Sequence, residues 1–127
     1  MGAGAMQSPM ARQMSAEAAR IAATRADLVV LATASLGHAL GVAGDRPGAR
    51  AVLGRLMRQR EHEYVSPYDV AMVYAGLGDK DHALDWLERA HQDRSSLLVF
   101  ALREPRLAPL RSEPRFVALV REFALPH

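Results

Sequence analysis

Residues 66–94 (SPYDVAMVYAGLGDKDHALDWLERAHQDR) constrain this chain more than any other stretch. The segment reads as two helices joined by a tight turn. Ser66 caps a helix that starts at Pro67, with Asp69 completing an S-x-x-D capping box. Val70, Val73, Tyr74 and Leu77 then share one face at helical spacing. Gly76 and Gly78 close this helix. Asp79 starts the next, whose apolar stripe is Ala83, Leu84, Leu87 and Ala90. Asp79, Asp81 and Asp85 come early and Arg89 late, as the helix dipole prefers.

A shift of 34 residues lays this segment on the one before it. Gly44-Asp45 falls on Gly78-Asp79, Ala49 on Ala83, Leu53 on Leu87 and Arg55 on Arg89. Helix–turn–helix units at a fixed period stack into a continuous core. Gly37, Ala49, Ala71 and Ala83 are small because two helices cross there, and large side chains would force the axes apart.

Composition agrees with a single helical domain. Half of the 127 residues are apolar. The strand-like apolar runs, such as residues 97–100, all lie within helical patterns, so no sheet is expected. The absence of cysteine removes disulfides and thiolate metal sites and suits a cytoplasmic setting. No apolar run reaches membrane-spanning length. The formal net charge is +2, with basic and acidic residues interleaved, which argues against a nucleic-acid partner.

Residues 1–7 read as a flexible leader or cloning remnant, and residues 8–127 as the domain. Ser8-Pro9 offers a helix start, and Met10, Met14, Ala18, Ile21 and Ala22 form one narrow face over residues 10–24. This helix is a capping helix, the second helix of an incomplete repeat, or an arm that occupies the groove of its own or a neighbouring chain. Asp27 can cap a following helix over 28–43. The two helices can also run together, because residues 24–27 hold no Gly or Pro. The first repeat is thus 28–60, with its second helix over 46–60, and the second repeat is 66–94. Residues 95–127 are a degenerate repeat and cap. Ser95 or Ser96 starts a short helix over 97–102. The duplication Glu104-Pro105-Arg106-Leu107 and Glu113-Pro114-Arg115-Phe116 then starts two further helical pieces. Leu107, Leu110, Phe116, Leu119, Val120 and Phe123 are expected to cover the open end of the stack.

On these residues the chain resembles the tetratricopeptide-repeat (TPR) family. The pattern L-G-x2-Y…A-x3-F is matched by Leu36-Gly37-x2-Leu40…Ala49-x3-Leu53 and by Val70-Ala71-x2-Tyr74…Ala83-x3-Leu87. Thr33 and Pro67 stand where the family has Trp, and Glu61 and Ser95 where it has the closing Pro. With the tail, the resemblance covers about residues 36–126. It is similar to C-terminal TPR regions of bacterial winged-helix regulators, adenylate cyclases and serine/threonine kinases, and to small free-standing TPR proteins. The resemblance implies an all-α, short superhelical stack of antiparallel helix pairs. It also implies a groove lined by the first helix of each pair, at Ala34, His38, Val42, Tyr68, Met72 and Ala75. Ordinary core packing is the competing account of Tyr68 and Met72.

No catalytic constellation stands out. Ser66, Ser95, Ser96 and Ser112 sit where caps belong. Glu61-His62-Glu63 and His82 lack zinc-ligand spacing. No enzyme activity, cofactor or metal is expected. The expected role is a protein–protein interaction scaffold that binds a peptide or amphipathic helix in the groove. The alternative is a regulatory domain sensing a small apolar molecule there. A homodimer is also expected, held by the N-terminal helix and oriented by the arginines of 46–60 and the acids of 80–91.

Overall fold

The computed structural model describes residues 9–93 and 103–124. Every regular element among them is a helix: α1 (Pro9–Val42), α2 (Arg46–Arg60), α3 (Pro67–Leu77), α4 (Lys80–Gln92), a 3-10 helix (Pro105–Leu110) and α5 (Pro114–Ala124). The expected leader and the expected helix over 97–102 lie outside the described residues.

The 34-residue period is a repeated piece of geometry. Gly44 and Gly78 both take the left-handed conformation, with φ of 89° and 77°. At the first turn Gly44 donates to the Gly41 carbonyl and Asp45 to that of Leu40. At the second, Gly78 donates to Ala75 and Asp79 to Tyr74. A left-handed residue at this place lets the chain reverse while the last carbonyls stay bonded. Asp45 and Asp79 then each cap the next helix, accepting from the amides of Gly48 (3.0 Å) and His82 (3.2 Å). The helix pairs α1–α2 and α3–α4 follow from this one turn used twice.

Three features of α1 and α3 refine the expectation, the first by choosing between two readings that were both open. α1 is a single helix of 34 residues, and residue 27 lies inside it instead of capping a second helix. Nothing between residues 24 and 27 breaks the backbone, and the Thr24 hydroxyl bonds back to the Arg20 carbonyl (3.0 Å) within the helix. Ser66 caps α3 as expected, but its hydroxyl accepts from Tyr68 (3.2 Å) while the Asp69 amide bonds the Ser66 carbonyl (3.0 Å). Gly76 does not end α3. It lies within the helix, buried, where α1 crosses. A β-carbon at Gly76 would strike the carbonyl oxygen of His38, and one at Gly41 would lie 2.5 Å from the Gly76 carbonyl carbon. The two backbones touch here, which only glycine allows on both sides. Gly37 plays its expected packing role. A β-carbon there would sit 2.8 Å from Val52 of α2 and 3.0 Å from Val73 of α3.

The core runs through all the described helices. Leu56, Met72, Leu84, Leu87, Leu107 and Leu110 are among its largest fully buried side chains. Ala49, Ala71 and Ala83, expected at the crossings, are fully buried. Trp86 is buried beneath two guanidinium groups, Arg60 at 4.7 Å and Arg89 at 4.3 Å from the ring centre. The tail covers the stack as expected at Leu107, Leu110, Phe116 and Leu119, with Val120 packed alongside. The side chain of Phe123 lies outside the described residues. Arg115 of α5 ties this cover to α4 through Asp85 (2.6 Å) and Glu88 (3.1 Å), and Lys80 meets Glu113 (3.3 Å). Thus the acids of α4 face the tail in these pairs, and α2 meets α4 through Arg60 on Trp86.

Gly76→Ala is expected to destabilise the chain by about 1–3 kcal/mol, because α1 and α3 must separate to admit one methyl group. Urea denaturation measures this. A change within a few tenths of a kcal/mol would mean that the helices do not cross at this glycine.

Candidate interaction surface

The six positions expected to line a groove fall into two sets. Ala34, Tyr68 and Met72 are buried in the core, and Ala75 is half-buried against it. His38 is half-buried, and its Nδ1–H donates to the Met72 carbonyl (2.9 Å). Val42 stands apart at 69% exposed. The structure therefore brings five of these residues together at the α1–α3 packing, and leaves α3 almost no open surface.

α1 and α4 cover most of α3. The 3-10 helix also packs on it, with Leu107 and Leu110 buried in the shared core. Glu104 caps it by accepting from the Arg106 amide (3.1 Å). The same carboxylate holds the Arg106 side chain, Nε to Oε1 at 2.9 Å and Nη2 to Oε2 at 3.1 Å. Arg106 then reaches α1 and donates to the Ser35 hydroxyl (3.3 Å). A bidentate pair of this kind fixes direction as well as distance. The 3-10 helix is thus tied both to α3 and to α1. The Glu-Pro-Arg sequence announced a helix start; its role as a bridge to Ser35, 71 residues away, left no signal in the sequence.

This cluster shifts three groups, and the hydrogen bond with Glu104 raises the Arg106 guanidinium further above its ordinary value. The hydrogen bond from the Arg106 side chain holds the Glu104 carboxyl below its ordinary value of 4.5, against the opposing effect of burial. Burial pushes the Tyr68 hydroxyl up to about 12, with the Glu104 charge adding to the effect. That hydroxyl has no hydrogen-bond partner among the described residues.

An open apolar surface exists elsewhere. Every described side chain of α1 from residue 13 to 29 is exposed, except Ala26, which is half-buried. The first described side chain of α1 to enter the core is Val30. The exposed stretch, residues 13–29, spans about 25 Å at 1.5 Å per residue. Met14, Ile21, Leu28 and Val29 all stand in solvent along it, and Leu31 and Leu36 continue beyond. The sequence showed the start of this face at Met14, Ala18 and Ile21. It did not show that the face stays uncovered.

An open cleft of about 340 Å³ lies between α4 and α5, beside His91, Arg115 and Glu122. Its charges face one another, with His91 3.7 Å from Glu122 and Arg115 on Glu88. Among the described residues no helix is long and apolar enough to cross a membrane. Comparison with protein-family models, with curated proteins and with solved structures gave no match.

The depressed Glu104 group sets a direction with pH. A carboxyl whose folded value lies below its unfolded value stabilises the fold above the unfolded value, and this contribution disappears as pH falls. Stability should therefore decline below about pH 4.5, and Glu104→Gln should flatten the decline while lowering stability at neutral pH. Urea titrations from pH 3 to 7, chosen as about the carboxylate range, check this. An unchanged slope in the variant would mean that the Glu104–Arg106 pair does not hold the tail.

Proposed function

We propose that this chain is a non-enzymatic protein-interaction module of the TPR type, which receives an amphipathic helix or peptide on the outward side of α1. The observation that carries the reading is the uncovered apolar row of α1, with Ile21 at 56% and Leu28 at 59% exposed. Removing such a row from water contributes about 25 cal/mol per Å² of apolar surface. A partner helix is the natural shape for it, because its own apolar positions at i, i+3, i+4 and i+7 match a straight rod.

The twin turns at a spacing of 34 residues support the TPR reading, since they build two helix pairs of the same plan. The tail on α3 moves the contact surface away from the expected groove centre. Val42 remains open at one end of α1, and Met14 at the other. The lack of cysteine suits a cytoplasmic setting.

Immobilised chain should retain synthetic amphipathic helices and reject scrambled ones. The double variant Ile21→Glu, Leu28→Glu should weaken retention by about tenfold or more, since each charge must be buried or the row abandoned. Both side chains are exposed, so the fold should survive, and circular dichroism checks this. Equal retention by variant and parent would remove α1 as the contact surface.

A further inference from the structure

Three of the large apolar residues exposed between residues 13 and 29 recur at an interval of seven: Met14, Ile21 and Leu28, at 63%, 56% and 59% exposed, with Val29 beside the last of them. Ala18, Arg25 and Ala32 follow each of them by four residues and are exposed too. Alternating steps of four and three make a seam, narrower than the face a helix needs to sit on a domain core. A straight helix drifts away from a seven-residue repeat, so this spacing suits two helices wound around each other. Helix formation itself does not require these side chains. Ala16, Ala18, Ala19 and Ala22 already favour it. At 3.6 residues per turn the seam lies opposite Val30, Ala34 and Gly37, which fasten α1 to the body.

We propose that the seam is covered by the same seam of a second copy of this chain, laid antiparallel and centred near Ile21. The proposal rests on the reading of α1 as the contact surface and names its occupant. Charge selects the direction. Arg25 is the charged residue on the seam, and Glu17 flanks it; both are exposed. Parallel copies in register set Arg25 against Arg25. Antiparallel copies bring each Arg25 beside Glu17 of the other, twice by symmetry. Length agrees with charge. The exposed stretch, residues 13–29, has its midpoint at Ile21, so each body clears the other copy's helix. Ala18 and Ala32 let the axes approach closely. The contact is self-complementary and closes as a dimer.

Sedimentation of the intact chain should show a concentration-dependent dimer. Arg25→Glu should weaken it by about tenfold, and Glu17→Arg added to Arg25→Glu should restore it. Direction is read by cross-linking, which the lack of native cysteine makes clean. Ile21→Cys should oxidise rapidly to a linked dimer. Met14→Cys and Leu28→Cys should each link poorly alone and well when mixed. Rapid linking of all three alone would mean a parallel pair and overturn the proposal. A monomer at every concentration would overturn it too. If helical peptides still bind that monomer through Ile21 and Leu28, α1 remains a contact surface for another protein. If they do not, both readings fail. A dimer that survives Ile21→Glu, Leu28→Glu unchanged places the interface elsewhere and overturns the proposal.

Discussion

The backbone contact between α1 and α3 at Gly41 and Gly76 is the constraint on which the rest of the structure depends. Helix axes ordinarily stand apart by the thickness of their side chains. Here a β-carbon on either glycine would strike the opposite backbone. The close crossing brings His38 within 2.9 Å of the Met72 carbonyl. It also lets Val73 of α3 lie over Gly37. Once α1 is held this way from Val30 onward, its course is fixed, and its earlier turns project beyond the body. The apolar row from Met14 to Leu28 is therefore a consequence of how the other end of the same helix is packed.

Much of the helical plan was legible in the sequence, because caps and turns are local. Pro67, Asp45, Asp79 and Gly78 act where their chemistry says they should. The bounds of α2, Arg46–Arg60, follow from Asp45 before it and the change of pattern at Glu61. Tertiary contacts were less legible. Gly76 has the same local signature whether it stops a helix or admits a neighbour, and the decision rests on Gly41, 35 residues away. The unity of α1 was left open because Asp27 favours a cap while nothing around it breaks a helix.

The candidate surface was legible only in part. Repeat logic directed attention to Tyr68 and Met72, and both are core residues. The Glu104–Arg106 pair acts on Tyr68 and reaches Ser35, a contact between distant segments with no periodic trace. The tail therefore does two physical tasks at once. It adds Leu107, Leu110 and Phe116 to the core, and it packs on α3. What the described chain leaves uncovered is the side of α1 that carries Met14, Ile21 and Leu28.

Amide hydrogen exchange along α1, measured at low and high protein concentration, tests the central claim most directly. The claim is that one helix is half body and half contact surface. The account predicts that amides of 30–42 exchange as slowly as those of α3 at both concentrations. It predicts that amides of 13–29 exchange quickly when dilute and slow as concentration rises. Equal protection of both halves at every concentration would contradict it, as would fast exchange over 30–42.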